Sequence, residues 1–235
     1  MNESIKAVHL AHTDGELSDV SAFGSGATAR AVTFHRSLPV YEPTPLADLK
    51  CLAAGLGLGR IAVKDESKRF GLNAFKGLGT SYSVARYLAQ YLDLPESEMT
   101  YETLQKPEHR ERLRGVTLVT ATDGNHGRGI AWAAKLFGLF AHVFMPKGSS
   151  PERLANIRGL GAEAAFTNYN YDDAVRYAAQ MAKEKGWVLI QDTAFEGYTE
   201  IPRWIMQGYT TLAHEAIEQY DDMPTHIFLQ AGVGS

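Results

Sequence analysis

From Ile61 onward, short runs rich in β-branched and aromatic residues alternate with longer stretches of helical period, and this alternation constrains the fold more than any other feature of the chain. Strands separated by whole helices do not close as hairpins; they line up side by side in a parallel or mostly parallel sheet with helices on its faces, an α/β fold. The predicted strands cover residues 61–64, 116–120, 141–145, 164–167, 188–191 and 226–231. The predicted helices cover 76–91, 125–137, 151–159, 172–185 and 201–219. Ser150-Pro151 places proline at a first helical position, and Tyr171-Asp172 offers an acidic cap. The segment 95–114 is strongly polar and reads as a solvated excursion with room for a short helix, while the first forty residues show no clear periodicity. With 235 residues, 45% of them hydrophobic, the chain can bury one large α/β core or two smaller ones.

Charge and cysteine content narrow the partners. Lys and Arg number 23 against 27 Asp and Glu, a net charge of −4, which argues against a broad footprint for nucleic acid or anionic lipid and leaves a small molecule as the expected partner. Cys51 is the sole cysteine, so no internal disulfide and no thiol-based zinc site is expected, and a reducing cytoplasm fits. Glu3, Lys6, Asp14, Glu16 and Asp19 break up the first twenty residues, which do not read as a signal peptide. The longest apolar stretch, 129–145, is interrupted by Lys135 and His142 and falls short of the roughly 20 residues that span a bilayer.

Four turns that follow predicted strands carry side chains suited to chemistry. The first is Asn73-Ala74-Phe75-Lys76-Gly77-Leu78-Gly79-Thr80. A lysine on a helix is ordinarily a solvated surface charge, but Lys76 follows an aromatic residue and falls where a βα loop reaches the carboxyl edge of a sheet. Partly desolvated there, near a helix N-terminus, its neutral amine is favoured, as Schiff-base chemistry requires. The second is Thr120-Ala121-Thr122-Asp123-Gly124-Asn125-His126-Gly127. Asp123 and Asn125 suit an N-cap equally well. A cap does not require Gly124 and Gly127 too; small residues around Asn125 would let a planar ligand approach the backbone while the amide donates to a ligand oxygen. His126 is expected to support the loop, and no metal site is expected. The third, Gly232-Val233-Gly234-Ser235, is compatible with dinucleotide binding, phosphate binding or an ordinary turn; beside Lys76 and the Asn125 loop, a phosphate cradle is preferred. In the fourth, Gln191-Asp192-Thr193-Ala194-Phe195-Glu196-Gly197-Tyr198-Thr199, Asp192 either braces the loop or faces the same crevice as Lys76 and Asp123.

Together with Arg69-Phe70-Gly71-Leu72 before the lysine and Met145-Pro146-Lys147-Gly148-Ser149-Ser150, these stretches resemble the fold-type II pyridoxal-phosphate enzymes, the tryptophan synthase β-like superfamily. More narrowly, from about Tyr41 to Ser235 the chain is similar to the diaminopropionate ammonia-lyase family, the Asp before Gly124 being the narrowing feature. The resemblance implies a lyase that eliminates ammonia from 2,3-diaminopropionate and releases pyruvate and ammonia. Lys76 would hold pyridoxal 5'-phosphate as a Schiff base with Phe75 beside it. Asn125 would hydrogen-bond the cofactor's phenolic oxygen, and Gly232, Val233, Gly234 and Ser235 would begin its phosphate loop. Asp123 and Asp192 are the candidates for proton transfer and for pairing with the substrate's second ammonium.

The same resemblance implies two domains, residues 1–75 and 192–235 belonging to a large cofactor-binding domain and 76–191 forming a smaller α/β domain. Family members continue well past the glycine loop, so a C-terminally shortened chain with an incomplete large domain is expected, with weak cofactor retention or self-association, and a homodimer as the expected assembly. Three other readings stay open at this level. They are a serine or threonine dehydratase or a cysteine synthase of the same fold, an inactive interaction module, and, least favoured, a nicotinamide dinucleotide enzyme.

Overall fold

A computed structural model describes residues 20–230. Its principal sheet has four parallel strands in the order β5-β4-β3-β6, formed by β3 (Thr117–Ala121), β4 (Phe140–Met145), β5 (Glu163–Phe166) and β6 (Val188–Leu189). The ladder pairs Val119 with His142 and with Leu189. A separate antiparallel pair joins β1 (Leu46–Asp48) to β2 (Ala62–Lys64). Helix α1 (Ser25–Ser37) comes first, α2 (Lys50–Leu56) links β1 to β2, and α3 (Lys76–Tyr91), α4 (Tyr101–Leu104) and α5 (Pro107–Leu113) precede β3. The rest are α6 (Asn125–Phe137), α7 (Pro151–Gly159), α8 (Tyr171–Lys185) and α9 (Glu200–Gln219).

The sheet is buried on both faces, as a parallel sheet must be. On one side Leu118, Val143 and Met145 join Ile130, Phe137 and Leu88 of the helices in the main core. On the other, Val119 and Ala121 meet the alanine stripe Ala174, Ala178 and Ala182 of α8. Helix α3 lies against α6 and α9, and α9 against α1. These contacts are close because glycines sit at the crossings. A Cβ on Gly208 of α9 would stand 2.7 Å from Leu78 O and 2.8 Å from Gly79 Cα, and one on Gly129 of α6 would stand 2.7 Å from Thr80 Oγ1. Gly127 serves packing too, since a Cβ there would come within 2.3 Å of Thr122 Cγ2 and 3.0 Å of Val143 Cγ1 of β4.

Helices α3, α6 and α7 start and stop as expected, and Ser150 caps α7 by accepting from the Glu152 amide at 3.2 Å. Three expectations fail for physical reasons. The cap of α8 is Asn170, whose side-chain oxygen accepts from the Asp173 amide at 2.9 Å, and not an acid at 172. Predicted strand 226–231 does not form over its described residues 226–230: among the described residues no strand pairs with it, and Ile227, Phe228 and Leu229 are 74%, 90% and 83% exposed. The unassigned N-terminal stretch contains α1, whose buried face is Ala27, Ala31, Phe34 and His35. His35 reads as polar yet is wholly buried, its Nδ1 2.7 Å from Thr211 Oγ1 of α9 and its Nε2 3.0 Å from Leu78 O of α3. Burial pushes its imidazole down to about 3, so it stays neutral and bridges three helices. The polar excursion holds α4 and α5, tied to the core by buried Leu104 and Leu113. No helix among the described residues is long and apolar enough to cross a membrane.

Candidate active site

Lys76 is the first residue of α3, and the chain reaches it through a tightly turned segment. Phe70, Gly71 and Asn73 all adopt left-handed backbone, with φ of 52°, 70° and 56°. For a residue as bulky as Phe70 this conformation costs roughly 1–2 kcal/mol. Its ring offsets that cost by stacking on Trp132 of α6, centroids 4.6 Å apart and planes at 12°. The ring also fills the space above Gly77, where a Cβ would meet it at 2.8 Å.

Arg69 anchors the same segment from below. Its guanidinium is fully buried and donates to both Glu215 oxygens at 2.9 and 2.7 Å, to Glu66 at 2.8 and 2.7 Å, to Glu42 O at 3.0 Å and to Thr44 Oγ1 at 3.0 Å. Glu215, on α9, also receives Lys64 Nζ at 2.7 Å and Tyr41 Oη at 2.9 Å. Burial alone would raise the Glu215 carboxyl, but hydrogen bonds from Arg69 and Lys64 outweigh it and hold the group at about 2.

The amine this scaffold presents is 14% exposed, and Lys76 Nζ donates to Asp192 Oδ2 at 3.0 Å. It lies 5.4 Å from the ring centres of both Phe75 and Tyr209. A carboxylate beside the nitrogen means that the amine is paired, where sequence reasoning pictured it mainly as desolvated. Asp192 follows β6, whose ladder is shorter than expected. Past Leu189 the Ile190 amide still bonds to Val119 O at 2.9 Å, and then the Gln191 side chain takes over, accepting from Thr120 Oγ1 at 3.0 Å and from the Ala121 amide at 3.1 Å. Tyr198 Oη clamps the turn by accepting from the Gln191 amide at 2.8 Å and donating to Leu189 O at 2.9 Å.

His126 closes the far side of Asp192. Its Nε2 donates to Ile190 O at 2.8 Å, which fixes the neutral tautomer and turns Nδ1 toward Asp192 Oδ2 at 3.7 Å. Burial lowers the His126 pKa against the pull of Asp192. Asp192 is lowered as well: its own burial works upward, but the pull of His126 whenever that imidazole is protonated, together with the charge and hydrogen bond of Lys76, prevails and favours the carboxylate.

Of the residues singled out in the sequence, the structure brings Lys76, Phe75 and Asp192 together, with His126 behind Asp192. Asp123 stands apart. Its side chain is 69% exposed and pairs with Arg153 Nη1 at 3.4 Å. Burial chiefly, and the charge of Asp192, raise the nearby Tyr171 phenol. Neither Asp123 nor Asn125 caps α6: Gly124 holds the cap position without a side-chain bond, and Asn125 is the exposed first residue of the helix. Gly232, Val233, Gly234 and Ser235 lie outside the described residues. Tyr209 was not legible in advance, because it sits mid-helix without a motif; the Gln191-Asp192 pair and Tyr198 at least fell within a turn already singled out.

A part-open primary amine at a helix start, set between a carboxylate and two aromatic rings, is a donor set that fits an aldehyde-bearing planar cofactor. The chain belongs to the family of pyridoxal-phosphate dependent enzymes, which its residues 38–235 match. Within that family, a diaminopropionate ammonia-lyase of Salmonella typhimurium is 58% identical over 208 residues, 87% of this chain and 52% of that protein. Another from Escherichia coli is 49% identical over 225 residues, 94% of this chain and 55% of that one. The crystal structure of Escherichia coli diaminopropionate ammonia lyase in apo form matches with a TM-score of 0.85 at 50% identity, covering 91% of this chain and 58% of that chain. The same enzyme in complex with D-serine matches at 0.86, covering 54% of its chain. The chain spans about half the length of the curated relatives it matches.

Proposed function

We propose that this chain serves a pyridoxal-phosphate dependent elimination of ammonia from 2,3-diaminopropionate, giving pyruvate and ammonia. The observation that carries the reading is the buried contact of Lys76 Nζ with Asp192 Oδ2 at 3.0 Å, backed by His126. Lys76 would hold the cofactor, Phe75 would flank it and Asn125 would meet its phenolic oxygen, with residues 232–235 at its phosphate. Once bound, pyridoxal phosphate supplies an electron-withdrawing ring that spreads the charge left by a departing α-proton. The protein's part is to bind, orient and move protons. Asp192, held ionised and hydrogen-bonded to the Lys76 nitrogen, can take a proton from that atom and return it. Asp123, at the open rim, would pair with the substrate's second ammonium, an attraction that serine lacks the charge to match. A homodimer and a cytoplasmic setting belong to the same reading, as does a division into a large domain (1–75, 192–235) and a smaller one (76–191).

The test is direct. Purified protein is given pyridoxal phosphate and then 2,3-diaminopropionate or serine, and pyruvate and ammonia are measured. Diaminopropionate is expected to be favoured by about tenfold or more in kcat/KM, equivalent to about 1.4 kcal/mol. Equal turnover of serine would move the reading to a dehydratase.

The two acids are unlike in burial and pairing, and we infer that they serve different stereoisomers. Asp123→Asn and Asp192→Asn are expected to lose activity unequally on the D and L substrates, each by about 10²–10⁴ on the isomer for which it is the base. Equal losses on both isomers in both variants would reject this division.

A further inference from the structure

Helix α9 carries a second feature of the crevice, and its geometry is unusually well defined. The Tyr209 ring stands edge-on to Phe75, centroids 4.9 Å apart and planes at 71°. It also occupies a notch that only glycine leaves open, since a Cβ on Gly79 would lie 2.5 Å from Tyr209 Cε1. Held between these two contacts, its centre lies 5.4 Å from Lys76 Nζ. Its hydroxyl is closed to solvent and has no hydrogen-bond partner among the described residues. A buried donor without an acceptor is costly, and native structures keep few of them without a reason.

We propose that the Tyr209 hydroxyl donates a hydrogen bond to an anionic oxygen of the small molecule held at the Lys76 amine, an assignment that rests on the pyridoxal-phosphate reading of that amine. Burial, reinforced by the Asp192 charge, pushes the phenol well above 10, so it remains a donor across the range in which an enzyme works. A charged oxygen is the acceptor that gives such a donor its strongest bond. Two sources carry one, the cofactor and the carboxylate of an amino-acid substrate, and binding measurements separate them. The Tyr82 hydroxyl supplies an internal control. It too lacks a partner, but its side chain is wholly enclosed in the core among Phe34 and His35, where no ligand reaches.

Tyr209→Phe and Tyr82→Phe each remove one oxygen and keep the ring. Three quantities are measured on each: the melting temperature without cofactor, pyridoxal-phosphate affinity from the absorbance of the lysine adduct without substrate, and KM and kcat with diaminopropionate. Tyr209→Phe is expected to melt no lower than the parent, and to weaken either cofactor affinity or KM by about ten- to hundredfold, the worth of one hydrogen bond to a charged group. A loss in cofactor affinity assigns the acceptor to the cofactor; a raised KM with cofactor affinity intact assigns it to the substrate. Tyr82→Phe is expected to change neither. The proposal is overturned if Tyr209→Phe matches the parent in both measurements, if it melts lower, or if Tyr82→Phe weakens binding as much. A parent protein that forms no adduct at Lys76 overturns the cofactor reading, and this assignment with it; a parent that forms the adduct while Tyr209→Phe stays unchanged overturns this assignment alone.

Discussion

Lys76→Ala is expected to abolish the yellow adduct with pyridoxal phosphate and to reduce activity to below about 1 part in 10⁴, beyond the roughly 10²–10⁴ that a single proton-transfer group supplies. The loss is large because the proposed function asks one nitrogen both to hold the cofactor and to exchange a proton with Asp192, which stands at 3.0 Å. The variant should stay folded, since the Lys76 side chain lies at the crevice and fills no position in the hydrophobic core. Borohydride treatment of the parent followed by peptide mapping provides the complementary measurement. Label fixed on Lys76 is the expected result, and label spread over Lys64, Lys68 or Lys147 with Lys76 unmodified would remove the basis for the functional reading.

The second large effect is structural. Arg69→Met is expected to destabilise the fold by about 3–5 kcal/mol, because Glu66 and Glu215 would keep their buried charges without the guanidinium that receives them. For a chain of this size that corresponds to a fall in Tm of about 6–20 °C. The dependence on pH identifies the cause. Glu215 is held at about 2, below its ordinary 4.5, so its contribution is complete above pH 4.5 and is lost as the pH falls through about 2. The gap between parent and variant should therefore be widest above pH 4.5 and shrink on acidification, as followed by urea unfolding at a series of pH values. A gap that stays constant down to pH 2 would mean that Arg69 acts by packing alone.

How much of this was legible beforehand depends on what each residue had to reveal. Helices α3, α6 and α7 announce themselves by apolar period and by glycine or proline at their limits, and the βα turns that hold Lys76, His126 and Asp192 follow from them. Charged and polar residues that fold inward are the opposite case. Arg69 in a turn reads as surface, His35 breaks the apolar stripe of α1, and both are buried because partners distant in sequence, Glu215 and Thr211, satisfy them. The stretch 226–230 has the composition of a strand, but no strand pairs with it among the described residues. Asp123 shows what a motif leaves open: its carboxylate is exposed and pairs with Arg153, a partner thirty residues away that adjacency to the Asn125 turn does not announce. Tyr209 depends on the rotation of a long helix and on a notch at Gly79, neither of which is local.

The embrace of α1 by α9 has a consequence for biosynthesis. Helix α1 leaves the ribosome well before α9, and at about 5–20 residues per second the wait is roughly ten to thirty seconds. Throughout that interval Ala31, Phe34 and His35 have no α9 to lie against. The apolar face of α1 therefore stays uncovered by its folded partner until α9 has been made.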